Sequence, residues 1–389
     1  MHALTRVGLT PFLKAAGIAS TALASAYFYA HESKNATVGS MCRVFEQGGA
    51  SAWDADFAVD QALSRVPRHA VHSELLDLLS PQSEPETHCY AVVVGASGTG
   101  KSTAVRKAVR AVGSGSVKGA VYFLAPTGIT SFSSALTRAL DCHEPFSLLS
   151  LRYLLSKESS LPQPVATWRM LAPKLQAAAA LFQARHGRPA VLVLDAMDLV
   201  AEEAPPFLTE LQAFAKECAD RGTLRLVLVC SDGHALPLLQ GNSALSRALP
   251  PREIGDIGDA EAVAYLVALG VGVERAEALV REVAGGRFPL LQTCAISAKS
   301  VQAIVQQLHG KTAATLRKAG VSPTCPLFAQ LLAHKVIPEA AALKLLGSHV
   351  TATLLGLGIL AAHPDGTLTF HSRHVESFVA GEVAESARR

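Results

Sequence analysis

The sequence of 389 residues has little charge for its length. Asp, Glu, Lys and Arg make up 17% of it, against about 25% in a typical globular protein, whereas 49% of the residues are hydrophobic. This balance argues against a disordered chain and predicts a well-buried core, divided into two or three domains of about 150 residues each. The net charge of +3 is too small for a strongly basic nucleic-acid binder.

The sequence also has no Cys-x-x-Cys pair, although it contains seven cysteines. Cys89 and Cys230 lie in or beside apolar runs, where a thiol behaves as a small hydrophobic group. An odd, irregularly spaced set predicts reduced thiols in a reducing compartment and no disulfide framework. Internal repeats are absent, and apart from an enrichment in alanine there is no low-complexity tract.

Acidic residues are missing from residues 1–31, where Arg6 and Lys14 are basic and Ser, Thr and Ala are abundant. This composition is typical of a mitochondrial transit peptide. The uncharged stretch Ala15–Ala30 is mostly apolar but shorter than the roughly 20 residues that an upright transmembrane helix needs. We expect a mitochondrial targeting segment or a short membrane anchor, with a cytosolic leader as the alternative. Secretion, with Ala24-Ser25-Ala26 as a cleavage site, is least favoured because the thiols would oxidise.

Unbroken apolar runs alternate with helical patterns between residues 66 and 256, after a linker at 32–65 with one short helix around 56–64. The runs predict the strands Tyr90–Val94, Ala120–Leu124, Ala190–Leu194 and Leu226–Cys230. The helical patterns cover Ala70–Leu79, Ser131–Leu140, Pro173–Ala184 and Pro206–Ala219. Fully apolar strands separated by helices predict an α/β fold with a parallel sheet covered on both faces.

The first predicted strand runs directly into a phosphate-binding loop, Gly95–Ser102, which fits G-x-x-x-x-G-K-[ST]. Gly98 and Gly100 can adopt positive φ and turn successive N–H groups towards phosphate oxygens. Lys101 supplies the charge for the β- and γ-phosphates, and the Ser102 hydroxyl is placed to ligate Mg²⁺. The predicted nucleotide-binding residues are Gly95, Ala96, Ser97, Gly98, Thr99, Gly100, Lys101, Ser102 and Thr103. The sequence therefore predicts binding of a nucleoside triphosphate.

Hydrolysis also needs an acid that holds the metal and a group that activates water. Asp195 ends a predicted parallel strand, at the edge of a sheet where such ligands lie, and is the expected Mg²⁺ ligand with Ser102. The residue after it is Ala196, so no second acid follows directly. Asp198 could reach the γ-phosphate if the chain turns into a helix there; alternatively it is a helix N-cap or a solvated turn residue.

Polar and basic residues follow the next predicted strand. Ser231 and Asp232 stand where a side chain could orient the attacking water, or could simply cap the strand. Arg247, and less so Arg252, could stabilise transition-state charge in cis or across a subunit interface; the alternative is a solvated surface arginine.

After Pro250 the pattern becomes helical. Amphipathic helices are predicted at Asp259–Leu269 and Val273–Val283, with a third that follows Gly285-Gly-Arg-Phe-Pro289 and ends near Leu308. Further apolar helices precede two short strands around the turn Pro364-Asp365-Gly366, as in the wing of a winged helix. We interpret His371 and His374 as polar surface residues, because no second ligand pair supports a metal site.

Several of these segments resemble the additional-strand P-loop ATPases of the AAA+/STAND type, and archaeal-type ATPases in particular. The resemblance covers about four fifths of the chain and is carried by Gly95–Ser102, Val191–Asp195, Leu224–Ser231, Glu253–Ala262, Gly285–Pro289 and Phe370–Glu376. It implies a P-loop NTPase core with a parallel sheet sandwiched by helices at 66–256, a helical lid at 257–310 and a C-terminal winged-helix-like domain, the wing domain, at 311–389.

The resemblance also implies Mg-ATP as the ligand and a lid that closes on the core when ATP binds and reopens after hydrolysis or release. A Gly-x-Pro turn lies close to the nucleotide in such proteins, so Pro289 is expected near the base or ribose. The more active relatives carry a Glu after the metal-binding Asp, and Ala196 in that position predicts slow turnover.

We therefore expect a Mg-ATP-dependent regulatory ATPase whose wing domain transmits the nucleotide state to a protein partner or to further copies of the chain. A non-hydrolysing, ATP-gated interaction protein is one alternative. A nucleic-acid-binding ATPase is less favoured, because Lys344 is the only cation in the candidate recognition region Ala340–Leu357. A small-molecule kinase ranks third, because no Arg-rich lid segment separates the predicted strands.

Overall fold

The computed structural model describes residues 35–48, 66, 68–80, 86–112, 118–142, 163–231, 235–241 and 243–388. The predicted targeting segment at 1–31, the short helix expected at 56–64 and Asp232 lie outside these residues. No helix within these ranges is long and apolar enough to cross a membrane.

A five-stranded parallel sheet forms the centre of the core domain. Its strands are β1 (Ala91–Val94), β2 (Ala120–Leu124), β3 (Ala190–Asp195), β4 (Leu224–Val229) and β5 (Arg252–Glu253). They lie in the order β2-β3-β4-β1-β5, and every pair is parallel. β4 is the additional strand between β1, which leads into the phosphate loop, and β3, which ends in Asp195. The predicted α/β fold class is confirmed.

Helices cover both faces of this sheet, because alternate side chains of each apolar strand point to opposite sides. Val93, Val191 and Val227 pack on one side and Val92, Leu192 and Leu226 on the other. In chain order the helices of this part are α1 (35–47), α2 (His69–Leu79), α3 (Lys101–Val112), α4 (Phe132–Ala139), α5 (Gln163–His186), α6 (Met197–Glu203), α7 (Pro205–Arg221) and α8 (Ala235–Gln240).

Part of the expected linker is instead a helix of the core. In α1, Met41, Cys42 and Phe45 are fully buried, and the Phe45 ring packs against that of Phe182 at 6.2 Å between centroids. The N–H groups that lead into β2 donate to the last carbonyls of α1. The apolar face spans only one turn, at i, i+1 and i+4, which is too short to stand out as a period in the sequence.

The helix expected from Pro173 begins ten residues earlier, at Gln163, and carries Pro173 in its interior. A proline removes one helical hydrogen bond and usually begins or kinks a helix. Here Trp168, Leu171 and Leu175, on both sides of the proline, are buried in one hydrophobic cluster. That packing keeps the two halves in a single helix.

The lid contains one helix more than predicted. Its helices are α9 (Asp259–Ala268), α10 (Val273–Leu279), a π-helical turn (Val280–Ala284), α11 (Phe288–Ile296) and α12 (Val301–Lys318). The expected third helix is divided because Ser300 caps a new helix, its hydroxyl accepting the N–H of Ala303. α12 then passes through the expected boundary at 310, with Ile304 in the lid core and Leu316 in the core of the wing domain.

The wing domain combines three helices with a small three-stranded sheet. Its elements are α13 (Pro326–His334), β6 (Ile337–Pro338), α14 (Glu339–Gly356), β7 (Leu360–Ala362), β8 (Thr367–Phe370) and α15 (Arg373–Arg388). The strands form an antiparallel sheet in the order β6-β8-β7. α14 is kinked at Gly347, which has a positive φ of 78°.

The first turns of α15 fasten the wing domain to the lid. The Arg373 guanidinium donates to both carboxylate oxygens of Asp259 at 3.1 Å and to the carbonyl of Val280 at 3.2 Å. Further along, the ring of His309 on α12 lies 3.1 Å from the hydroxyl of Ser377. The shared helix α12 and these contacts join the lid and the wing domain.

The packing of α1 predicts that Phe45→Ala destabilises the core by about 3 kcal/mol, because it removes a fully buried ring. Urea unfolding monitored by circular dichroism would measure this free energy. Arg43→Ala, at an exposed position of the same helix, is the control and should change it by less than about 0.5 kcal/mol. Equal, small effects of both changes would show that α1 is not part of the folded core.

Candidate functional site

The phosphate loop lies at the carboxyl edge of the sheet, where parallel strands collect ligand-binding residues. Gly95 follows β1, and Lys101 begins α3. The Lys101 ammonium group donates to the carbonyls of Gly95 at 2.5 Å and Ala96 at 3.1 Å, and lies 3.5 Å from the Ser231 hydroxyl. The side chain is largely buried. The structure thus brings Lys101 close to Ser231, the serine predicted to orient the attacking water.

The lid packs directly on this loop. At Gly98, where φ is +85°, a Cβ atom would come within 2.8 Å of the Pro289 ring, and at Gly100 one would come within 2.8 Å of the Phe288 ring. Only glycine permits this approach at positive φ. Pro289, expected near the base or ribose, therefore lies over Gly98 in the phosphate loop.

Phe288 instead lines a cavity beside the loop, between α2, the first turns of α3 and the lid. The cavity is lined by Val66, Arg68, Val71, His72, Gly100, Thr103, Ala104, Lys107 and Phe288. An aromatic ring and two valines beside basic side chains can accept a flat, partly apolar group next to bound phosphates. The sequence reasoning did not identify Phe288, although it stands next to Pro289 in the noted turn.

Two arginines outside the loop bind its carbonyl groups. Arg68 donates to the carbonyl of Thr99 at 2.8 Å and to that of Gly255 at 2.7 Å. Arg287 donates to the carbonyl of Ser97 at 2.7 Å. With the carbonyls occupied from outside, the loop is held in one conformation before any phosphate arrives. Neither arginine was predicted, because their partners are carbonyls that carry no sequence signal.

Arg287 also connects the loop with two other parts of the molecule. Its Nε atom lies 2.7 Å from a carboxylate oxygen of Asp256, as an ion pair and not an aligned hydrogen bond. Its terminal nitrogens contact His371 in the wing domain, donating to the carbonyl at 2.6 Å and lying 3.0 Å from the ring nitrogen Nε2. Asp256 belongs to the segment 254–258 between β5 and the lid, which we call the hinge. One guanidinium thus touches the loop, the hinge and the wing domain.

His371 and His374 are consequently not surface residues. Burial lowers the pKa of His371 to about 4, and the nearby charge of Arg287 contributes to this lowering. Burial likewise lowers the pKa of His374 to about 4. Across the part of the chain that the structure describes, no three His, Cys, Asp or Glu side chains are grouped as a metal site. The interpretation as surface residues is wrong, because the end of β8 and the first turn of α15 place both half-buried histidines at the contact between the wing domain and the lid.

Asp195 is buried at the end of β3, and both of its carboxylate oxygens accept hydrogen bonds. Oδ1 accepts the N–H of Ala196 at 2.6 Å, and Oδ2 accepts the hydroxyl of Tyr122 at 2.5 Å. The sequence pattern predicts Tyr122 to be a core aromatic residue; the structure gives its hydroxyl this additional polar contact.

Asp198 lies beside Ser231 and close to Lys101. Ala196 adopts a left-handed conformation, with φ of 62°, and α6 begins after it. One carboxylate oxygen of Asp198 accepts the N–H of Ser231 at 2.6 Å, and the other is buried without a hydrogen-bond partner. Burial raises the pKa of Asp198, while the Ser231 N–H and the Lys101 charge oppose the rise. The alternative of a solvated turn is therefore wrong.

Arg247 lies at the amino ends of the strands, on the side of the sheet opposite to the phosphate loop. Its carbonyl accepts the N–H of Tyr90, at the amino end of β1, and its guanidinium donates to Asp220 at 2.5 Å. The phosphate loop follows the carboxyl end of β1, roughly 13 Å further along an extended chain. The prediction that Arg247 acts in cis is wrong; action across a subunit interface stays a prediction.

The side chains at the end of β3 and the start of α3 offer the oxygen atoms that a magnesium ion needs. Mg²⁺ takes oxygen ligands, usually one or two from the protein and the rest from phosphates and water. Ser102, at the start of α3, and Asp195 offer such oxygens, and the unpartnered oxygen of Asp198 is a buried acceptor suited to a metal-bound water. Ser102 and Asp195 would hold the ion.

The lowered His371 pKa predicts a pH dependence of stability. The unfolded chain protonates this ring below about pH 6.5 and the folded protein only near pH 4, so folding loses stability as the pH falls through this window. His371→Gln should reduce the loss between pH 7 and pH 5 by about 2 kcal/mol, measured by urea unfolding at both values. His349→Gln, at an exposed position, should leave the loss unchanged; equal pH dependence in all three proteins would contradict the prediction.

The comparison with known protein families points to the same part of the chain that holds the phosphate loop and the strands β1 to β4 of the sheet. Residues 66–229 match the family described as AAA ATPase domain. No curated protein matches the sequence.

Three similar solved structures come from archaea. They are the Walker-type ATPase PABY2304 of Pyrococcus abyssi (12% identity, 81% of this chain and 96% of that chain covered, TM-score 0.48), Cdc6p from Pyrobaculum aerophilum (15%, 83% and 95%, 0.41) and the Aeropyrum pernix ORC1 protein in complex with DNA (15%, 82% and 94%, 0.36). Together with the strand order and the phosphate loop, the family match identifies residues 66–229 as an AAA ATPase domain of the additional-strand P-loop class.

Proposed function

We propose that this protein binds Mg-ATP at the phosphate loop, hydrolyses it slowly, and uses the bound nucleotide to change how the lid and the wing domain sit on the core. The observation that carries the proposal is the meeting of Lys101, Ser231 and Asp198 at one edge of the sheet. A cation, a hydroxyl and a half-buried carboxylate beside a phosphate loop are the groups that phosphoryl transfer to water requires. The base of the nucleotide would occupy the cavity beside Phe288 and Arg68.

Asp198 takes the place of the missing glutamate in this proposal. The left-handed turn at Ala196 allows α6 to begin at once, which brings Asp198 back towards the end of β4. Its unpartnered oxygen can accept a proton or a hydrogen bond from the attacking water, and its raised pKa makes it a better base than an exposed aspartate. An aspartate is shorter than a glutamate, which is consistent with slow turnover.

Ser102 and Asp195 hold the metal in this proposal, and Lys101 moves from the loop carbonyls to the phosphates. When bound, Mg²⁺ neutralises charge on the β- and γ-phosphate oxygens. Lys101 is poised for its part because its ammonium group exchanges two carbonyl partners for phosphate oxygens without leaving the site.

Arg287 would couple the nucleotide to the wing domain. It contacts the loop at Ser97, so a γ-phosphate that reshapes the loop tip also disturbs its contacts with Asp256 and His371. Arg373 and α12 fasten the lid to the wing domain. The lid and the wing domain would therefore rotate together about the hinge, as one rigid body, when the contacts of Arg287 with Asp256 and His371 break.

The partner that reads this movement is proposed to be a protein, with a second copy of the chain as one such partner. On α14, Leu343 and Leu345 are about two fifths exposed, and Lys344 is the only Lys or Arg of that helix. Nucleic-acid binding draws most of its affinity from contacts between cations and phosphates. Exposed leucines on a helix with a single cation favour a protein.

Nucleotide binding and ATP turnover, measured on the same samples of full-length protein, test the proposal. Lys101→Ala should reduce nucleotide affinity by at least tenfold, because it removes the charge that meets the phosphates. Asp198→Asn should keep the affinity within about threefold and lower turnover by roughly 100-fold, the usual loss when a general base is removed.

Arg221→Ala, at an exposed position at the end of α7, is the control for both variants and should leave binding and turnover unchanged. Unchanged affinity in Lys101→Ala would overturn the site. Tight binding by the wild type without turnover would support instead the ATP-gated, non-hydrolysing alternative, with Ala196 as the physical reason.

A second prediction concerns the coupling through Arg287. Arg287→Ala should speed amide hydrogen exchange at residues 254–258 and 370–373 by at least tenfold without nucleotide, because a buried guanidinium with charged and carbonyl partners is lost. Arg281→Ala removes a mostly exposed arginine of the same lid and is the matched control. Equal exchange in both variants would show that Arg287 does not hold the hinge closed.

A further inference from the structure

The hydroxyl of Tyr122 contacts the acid proposed to bind the metal. Tyr122 lies on β2 and is largely buried, as is Asp195 on β3, and the hydroxyl donates to Asp195 Oδ2 at 2.5 Å. The other carboxylate oxygen accepts the N–H of Ala196 at 2.6 Å. One hydrogen bond on each oxygen prevents the carboxylate from rotating and leaves each oxygen a further lone pair.

The register of β2 and β3 explains why this tyrosine reaches this aspartate. Tyr122 stands opposite Val193, so Asp195 is its diagonal neighbour two residues further along β3. Side chains two residues apart on a strand point to the same face, and diagonal neighbours are within reach of a long aromatic side chain. Both therefore face the side of the sheet on which α3 packs.

Arg106 links the same ring to the helix that carries Ser102. The Arg106 guanidinium carbon lies 6.0 Å from the centre of the Tyr122 ring, and its Nε donates to the carbonyl of Ser102 at 3.3 Å. A guanidinium at this distance over a tyrosine is attracted to the face of the ring. Tyr122 thus contacts Asp195 directly and is connected through Arg106 to the backbone of Ser102.

We propose that Tyr122 is a positioning residue of the magnesium site, which orients the Asp195 carboxylate before the ion arrives. This inference rests on the proposed function. Without the hydroxyl, Oδ2 loses its partner and the carboxylate can turn away from Ser102, so the protein would have to order it when the ion binds. The affinity for Mg²⁺ falls, whereas contacts between the loop and the phosphates are untouched.

Tyr122→Phe tests the proposal by removing only the hydroxyl. The readout is the binding of a fluorescent ATP analogue as Mg²⁺ is titrated, which does not depend on turnover. We expect the half-saturating Mg²⁺ concentration to rise roughly tenfold, the scale of one hydrogen bond to a charged group. Binding of the analogue in EDTA should stay within about twofold of the wild type.

Tyr90→Phe is the matched control. Tyr90 is also fully buried, and its hydroxyl accepts a hydrogen bond from Gln212 at 2.8 Å, at the amino end of β1. It should leave the Mg²⁺ midpoint unchanged. Equal midpoints in Tyr122→Phe, Tyr90→Phe and the wild type would overturn the role of Tyr122 while leaving nucleotide binding established.

The Asp195→Asn background supplies a second test. If Tyr122 acts through Asp195, the double variant Tyr122→Phe/Asp195→Asn should have an Mg²⁺ midpoint within twofold of that of Asp195→Asn alone. A full tenfold further shift would show that Tyr122 acts elsewhere and would overturn the proposal. Wild-type protein that binds no analogue, with or without Mg²⁺, would overturn the proposed function itself, an outcome distinct from the others.

Discussion

The guanidinium group of Arg287 has partners in the phosphate loop, the hinge and the wing domain at the same time. A buried cation is costly unless its N–H groups find acceptors or an opposite charge. Arg287 finds them only while these three parts stay in place, so their arrangement depends on it. The close approach of Phe288 and Pro289 to the loop glycines, and the low pKa of His371, follow from the same closed arrangement.

The chemistry is concentrated at the carboxyl ends of β1, β3 and β4, where each strand delivers one part of the site. β1 leads into the loop and Lys101, β3 ends in Asp195, and β4 leads to Ser231. The Ser231 hydroxyl lies near Lys101 while its N–H donates to Asp198, so the cation and the proposed base share one residue. A change in the position of Lys101 would therefore affect Asp198 through one intervening residue, Ser231.

The parts of the fold that could be predicted have strong local patterns. The apolar runs became strands because every residue in them is buried, and the glycines of the loop matched a motif whose spacing has a physical reason. The errors arose where packing overrides a local rule. Pro173 lies inside a helix because buried side chains hold both of its sides, and α12 crosses an expected domain boundary because its two ends belong to different cores.

By itself the sequence determined the class of the core, the phosphate loop with Lys101 and Ser102, and the acid at the end of β3. The tertiary structure alone decided that Arg287 binds the loop, that Tyr122 holds Asp195, and that Arg247 lies at the wrong edge for action in cis. The reason is the distance along the chain: Arg287 and Ser97 are 190 residues apart, and Tyr122 and Asp195 are 73 apart. Such pairs form through strand register and domain packing, and a local pattern of residue types does not encode either.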